Sequence, residues 1–123
     1  MDNLVRSYSA GADLSAKKGY AVKLNGSRAN RTPVAILAGA NEGAIGIITE
    51  PGIENGDRIS VCVHGFCFAK LGGTVDEGNA LKVDANGALV AATPSEDDVI
   101  IARVEQGGVS GDIVQVFVNA YKD

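Results

Sequence analysis

The chain has few of the residues on which catalysis and metal binding most often depend. Its 123 residues include one histidine, two cysteines and no tryptophan. A Ser-His-Asp triad would have to be built around His64, and a single C-x4-C pair supplies too few ligands for a zinc site. We therefore expect Cys62 and Cys67 to be buried thiols. We predict no catalytic residue, no cofactor and no metal site.

Long apolar runs are also absent. The longest, such as residues 34–38, have only a few residues, whereas a membrane-spanning helix needs about 20. Residues 1–6 lack the basic start and apolar run of a secretory signal. We expect no membrane partner and a chain that is made and folds in the cytoplasm.

The charge is unevenly distributed along the chain. Residues 1–31 hold six basic and two acidic residues, a local charge of +4, while residues 32–123 hold five basic and thirteen acidic residues, a local charge of −8. Phosphate binding needs dense Lys and Arg, so the acidic body argues against nucleic acid as a partner. The asymmetry predicts a basic surface for an acidic partner, with chance as the alternative explanation.

Glycine is abundant, and short strand-like runs recur between turn signals. Sixteen glycines against three prolines indicate many tight turns. The runs predict an all-β fold of about nine short strands, a small barrel or sandwich of β-tulip-like form. They cover residues 20–24, 33–38, 44–49, 58–63, 66–71, 80–83, 88–91, 99–104 and 113–118. We expect one domain over residues 15–123, preceded by an extended arm of residues 1–14 that is ordered only where it packs on something.

A turn pattern, G-[DN]-x-[ILV]-x-V, begins at residues 56, 78 and 111. Glycine allows the turn, and the Asp or Asn side chain can accept hydrogen bonds from nearby backbone N–H groups. We interpret the pattern as a turn leading into a strand, in preference to a metal-binding loop. A second signal, Asn-Gly, predicts a hairpin tip within residues 84–87, and the same pair at residues 25–26 predicts the end of the first strand. The predicted turn residues are Gly56, Asp57, Gly65, Gly78, Asn79, Asn86, Gly87, Gly111 and Asp112.

The segment around His64 and Gly65 has two interpretations. A two-residue turn would place Cys62 opposite Cys67, whereas a glycine kink would carry one continuous strand around a corner. A Cys-His nucleophile lacks an obvious carboxylate and oxyanion loop. We therefore interpret His64 as structural and expect no activity for His64→Ala to abolish.

The order of several segments resembles a known family. An Ala-Asp-Leu-Ser-Ala stretch leads into the strand at 20–24, and strands of the forms A-x-G-[IV] and V-x-V-x-G follow at 44–48 and 59–65. The step G-x-[IV]-x-x-G-[DN]-x-[LV] at 73–81 precedes the hairpin at 84–87, and the segment at 111–116 closes the series. In this order the segments resemble the capsid cement, or head-decoration, proteins of tailed bacteriophages, over about residues 10–118.

The resemblance implies a structural virion protein without catalytic residues. Such proteins bind the outer surface of the expanded head, often as homotrimers, and stabilise contacts between major capsid subunits. The implied partners are the capsid lattice and further copies of the chain. We predict contacts from the arm, which could pair with a partner's sheet edge, and from a basic cluster of Lys17, Lys18, Arg28 and Arg31 that could meet an acidic capsid surface. The interface residues predicted are Leu4, Val5, Arg6, Tyr8, Lys17, Lys18, Arg28 and Arg31.

Two other classes of function remain as alternatives. A different virion-surface module, such as a head-fibre base or a carbohydrate-binding β domain, would show an exposed aromatic cluster near polar residues. The absence of tryptophan and the dispersed tyrosines disfavour it. A carrier domain would display a modifiable lysine at a hairpin tip, and residues 84–87 contain none.

Overall fold

The computed structural model describes residues 4–11, 14–29, 32–40, 42–50, 58–93 and 99–119. Within these residues the fold is all-β, as predicted, with nine strands and no helix. The strands are β1 (Leu4–Ala10), β2 (Ala21–Ala29), β3 (Thr32–Leu37), β4 (Gly46–Glu50), β5 (Arg58–Lys70), β6 (Ala80–Val83), β7 (Leu89–Ala91), β8 (Ala102–Val104) and β9 (Ile113–Asn119).

Five strands close into a barrel in the order β1-β3-β2-β4-β5. β1 closes the ring because it pairs with two strands. It runs antiparallel to β5 from Leu4 to Ser9, and parallel to β3 at Ser9 and Ala10. Residues 4–10 of the predicted arm are therefore a strand of the barrel. Sequence reasoning missed this strand because residues 1–14 show no sustained alternation.

A second lobe extends from the far half of β5. Residues 64–70 of β5 pair with β9, and the sheet continues through β8 and β6 to β7. β7 then returns to the end of β5 through an isolated bridge between Leu71 and Leu89. The Gly72 N–H donates to the Leu89 carbonyl at 2.8 Å. The second lobe thus closes on itself at a single bridge, whereas the barrel closes through a full strand.

Each region has its own apolar core. Alternation along β5 places Ile59, Val61 and Val63 on one face, as predicted, and that face lines the barrel. The barrel core consists of Tyr8, Ala10, Leu14, Val22, Ala35, Ile48, Ile59, Val61 and Val63. The other core lies between the barrel wall and the second lobe. It is larger, and includes Ile47, Cys62, Cys67, Leu71, Leu81, Leu89, Val104, Val116 and Val118.

β5 is one continuous strand that bends where the two regions meet. Gly65 has a φ of 111°, a value that glycine adopts without steric cost. The ladder with β1 shifts beside this bend, because Leu4 pairs with His64 while the next residue, Val5, pairs with Cys62. The extra residue on β5 is a β-bulge, which increases the local twist. The kinked-strand interpretation is confirmed, and the two-residue turn is wrong.

The strand β2 also differs from its prediction. The Asn-Gly pair at residues 25–26 was expected to end it, yet β2 continues to Ala29. Its register with β3 shifts between Leu24 and Arg28, and Gly26 has a φ of 87°. The glycine therefore lies in an irregularity within the strand, which is the other common role of glycine in a sheet.

Candidate interaction surface

The structure divides the predicted contact residues of the arm into two groups. Leu4 and Val5 are 49% and 47% exposed, and Arg6 is exposed as well. Tyr8 is only 5% exposed and belongs to the barrel core. Burial along β1 changes from exposed at residues 4–7 to buried at residues 8–10. Tyr8 therefore offers little surface to a partner, and its assignment to an interface stays a prediction.

The predicted basic cluster is described only in part. The ammonium group of Lys17 lies over the Tyr20 ring, 4.8 Å from its centroid, a cation–π arrangement. Lys18 is exposed and borders a pocket between the barrel and the second lobe. The backbone of Arg28 belongs to β2, but its side chain and the whole of Arg31 lie outside the described residues.

The predicted turn residues of the second lobe accept backbone hydrogen bonds where strands begin. The Asn79 side-chain oxygen accepts from the Asp76 N–H at 2.8 Å, and the Asp112 carboxylate accepts from the Val109 N–H at 3.0 Å. These bonds order the connections before β6 and β9. Positive φ values occur at Gly78, Gly87 and Gly111. Gly56 and Asp57 lie outside the described residues.

The hairpin between β6 and β7 forms at the predicted tip. Val83 pairs with Leu89 across the turn. The Asp84 carboxylate accepts from the Asn86 N–H at 2.8 Å and from the Ala88 N–H at 3.0 Å. One side chain therefore satisfies two backbone donors and defines the turn.

All three phenylalanines of the chain lie on the outer face of the β5–β9 pair. Phe66 is directly opposite Phe117, and Phe68 shares the face of Phe66 because alternate strand residues do. The ring centroids of Phe66 and Phe117 are 5.1 Å apart, with 62° between their planes. His64 adds an edge-to-face contact, its ring centroid 5.3 Å from that of Phe117. The rings of His64, Phe66 and Phe117 therefore form one connected cluster.

The same outer face carries strongly exposed apolar side chains. Phe68 is 60% exposed and Ile113, on β9, is 51% exposed. Leu4 pairs with His64 across β1 and β5, so exposed apolar surface continues towards the predicted arm. Large contiguous patches of exposed apolar surface are a common feature of interaction sites. We call the set His64, Phe66, Phe68, Ile113 and Phe117 the aromatic face.

Two depressions flank Phe66 within this surface, and their charges differ. An open pocket of about 300 Å³ has Ile48, Phe66, Phe68 and Ile113 among its lining residues, and Lys18 also borders it. The other depression brings Phe66 and Phe117 together with the charged side chains of Glu77, Arg103 and Glu105.

Sequence reasoning missed the aromatic face because its members are far apart along the chain. One signal was present: both strands are apolar at even and at odd positions. In β5, Cys67 and Ala69 belong to the second core, while Phe66 and Phe68 face outward. In β9, Val116 belongs to that core, while Phe117 faces outward. A strand with one face in water normally alternates apolar and polar residues.

The cysteines are free thiols buried in the second core. The Cys62 thiol contacts the backbone carbonyl of His64 at 3.6 Å. The hydrogen bond with Cys62 raises the pKa of the Cys67 thiol, and burial raises it further. A raised pKa keeps Cys67 in the poorly nucleophilic thiol form. The same hydrogen bond lowers the pKa of the Cys62 thiol, and both side chains pack in the second core.

The described residues contain no group of three or more His, Cys, Asp and Glu side chains arranged to hold a metal ion. No helix long and apolar enough to cross a membrane occurs in the same part of the chain.

Comparison with known proteins identifies the fold. No known protein family matches the sequence, and no curated protein matches it either. A solved structure does match: the N base of the head fibre gp8.5 of bacteriophage phi29, with a TM-score of 0.72. The match covers 97% of this chain and 96% of that chain, at 13% sequence identity. The chain therefore has the fold of this head-fibre base along nearly its whole length.

Proposed function

We propose that the chain is a structural protein of a phage virion. In this proposal it binds the outer surface of the expanded head, as a homotrimer, and stabilises contacts between major capsid subunits. It acts without cofactor, catalysis, nucleic acid or membrane. The observation that carries the proposal is the fold shared with the phi29 head-fibre base over 97% of this chain and 96% of that one.

Two further observations support a binding role. The order of sequence segments resembles that of the head-decoration proteins. The aromatic face and the neighbouring Leu4 and Val5 supply exposed apolar area for a protein partner. On a repeating lattice, many weak contacts of this kind add up to strong attachment.

A second candidate function is the base of a head fibre, which also attaches to the phage head. The shared fold favours it directly, because the matched structure is a fibre base. The aromatic face favours it too, since an exposed aromatic cluster near polar residues was expected of such a module. Immunogold labelling of virions tests the choice. Label confined to short knobs on the head supports decoration, and label at the root of a fibre supports the second candidate.

Co-sedimentation with phage heads that lack this protein tests the main proposal. We expect saturable binding to expanded heads and none to unexpanded heads. Binding to neither form would contradict the proposal. Binding to both would remove the requirement for expansion.

Variants in the same assay test the predicted contact residues. Val5→Asp and Lys18→Glu should weaken binding to the heads. The first places a charge in an exposed apolar contact, and the second reverses the charge of an exposed basic contact. Glu50→Gln is the matched control, since Glu50 is an exposed charge of β4 outside the aromatic face. Unchanged binding by both test variants would remove these residues from the interface.

A further inference from the structure

The aromatic face has the properties of a surface that binds its own copy. We infer that a second copy of this chain docks on the aromatic face in a charge-complementary homo-oligomer. This inference rests on the self-association contained in the proposed function, and it does not depend on attachment to a phage head.

The surface carries both a protruding apolar side chain and an apolar hollow. Phe68 is 60% exposed and borders the pocket of about 300 Å³ that Ile48, Phe66 and Ile113 also line. A surface with both features can interlock with an identical one. Aromatic side chains in such pockets supply much of the binding energy of protein interfaces.

The two ends of the aromatic face have opposite charge. Lys18 borders the pocket beside Phe68, and Lys70 pairs with Ile113 at the same end. At the other end, Glu77 and Glu105 lie in the depression beside Phe117. Arg103 is in this depression too, and it donates to the Gly78 carbonyl at 3.4 Å, so the carboxylates outnumber the cations there. The face is therefore basic at one end and acidic at the other.

This charge pattern favours a second copy over a uniformly charged partner. When two copies meet in opposite orientation, or head to tail around a symmetry axis, the basic end of one faces the acidic end of the next. Both ends then contribute favourable contacts. A wholly acidic surface would attract the lysine end and repel the glutamate end, because like charges across an interface disfavour binding.

Sedimentation equilibrium of the purified chain tests the inference. The native chain should associate, and Phe68→Asp should raise the dissociation constant by at least about tenfold, the effect of losing a central aromatic contact. Phe68→Thr, which retains strand propensity, should act in the same direction. Leu24→Asp is the control, since Leu24 is an exposed apolar residue of β2 outside the aromatic face. It should leave association unchanged.

A charge reversal tests the orientation of the two copies. Lys18→Glu and Glu105→Lys should each weaken association, most clearly at low salt, where charge contacts are least screened. The double variant should recover most of the lost association between copies, because it exchanges the two charges and keeps them complementary. A double variant as weak as the sum of its singles would overturn the complementary arrangement.

The remaining outcomes separate this inference from the proposed function. A native chain that is monomeric at every concentration overturns the inference, as does a Phe68→Asp variant that associates normally. If that variant associates normally but no longer binds heads, the aromatic face contacts the capsid and not a second copy. If association depends on Phe68 but heads are not bound at all, the inference stands and the head-binding proposal fails.

Discussion

The barrel and the second lobe close around their apolar cores by different strand pairings, although they share the strand β5. The barrel closes by complete strand pairing, with β1 joining β3 to β5. The second lobe closes at the single bridge between Leu71 and Leu89, and side-chain acceptors such as Asp84 order its turns. All three phenylalanines lie in the second lobe, on its outer face. The comparison separates a region that closes through a complete strand from one that closes at one bridge and carries an aromatic cluster on its outer face.

Removal of β1 should have the largest effect, because β1 is the strand that closes the barrel by pairing with both β3 and β5. Deleting residues 1–10 removes Tyr8 and Ala10 from the barrel core and takes away the partner of one edge of β5. We expect the deletion to unfold the whole chain, since β5 runs through both regions. Far-UV circular dichroism and amide hydrogen exchange check this outcome.

A folded second lobe in the deletion variant would contradict this expectation. It would appear as protected amides confined to β6 through β9. The two regions would then be independent folding units despite their common strand.

Matched core truncations compare the two regions at the next level. Ile59→Ala in the barrel core and Leu81→Ala in the second core each remove a fully buried aliphatic side chain. Each should lower the free energy of unfolding by about 2–5 kcal/mol, in a single transition. Urea unfolding followed by circular dichroism measures both. Two separate transitions in either variant would show that the regions unfold independently.

Turn substitutions compare the side-chain acceptors of the second lobe. Asp84→Ala removes two hydrogen bonds to backbone donors, and Asp112→Ala removes one. Net contributions of about 0.5–1.5 kcal/mol per bond predict that the Asp84 variant is the less stable of the two. Thermal unfolding measures the difference. Equal losses would indicate that the second bond of Asp84 adds nothing.

The smallest expected effect is a pH dependence in the barrel. The Lys23 ammonium lies 2.8 Å from both carboxylate oxygens of Glu42, and the Gly39 N–H donates to one of them. The bond from Lys23, and then that from Gly39, lowers the pKa of Glu42. A lowered pKa in the folded state contributes stability above the unfolded pKa of about 4.3, and that stability is lost as the pH falls through the folded value.

Glu42→Gln should therefore destabilise the chain slightly at neutral pH and leave its stability nearly unchanged in acid. Melting temperatures at both pH values check this, with Glu50→Gln, an exposed glutamate of β4, as the control. A difference between Glu42→Gln and the native chain that persists in strong acid would exclude the charge interaction as its cause.

Local pattern predicted much of the fold, and its failures have physical causes. Alternation identified the barrel-facing side of β5, and Asn86-Gly87 identified the hairpin between β6 and β7. The same Asn-Gly signal failed at residues 25–26, where pairing with β3 resumes beyond an irregularity and the strand continues. An Asn-Gly pair favours a turn through local interactions. A strand nevertheless continues for as long as its backbone pairs with a neighbouring strand.

The candidate surface was less predictable than the fold. Leu4 and Val5 were expected to be exposed contact residues and are exposed, whereas Tyr8 is buried. The aromatic face was not foreseen, since it depends on the register that places Phe117 opposite Phe66. Register follows from the whole sheet, and no single segment specifies it.

The sequence by itself determined the all-β class and most of the turns, because apolar alternation and turn chemistry act over a few neighbouring residues. Only the tertiary structure decided three features: β1 closes the barrel, β5 bends at Gly65 to serve two cores, and three phenylalanines distant in sequence meet on one outer face. Each of these requires contacts between segments far apart in the chain. Such contacts form only when the free energy of the whole sheet selects one set of partners.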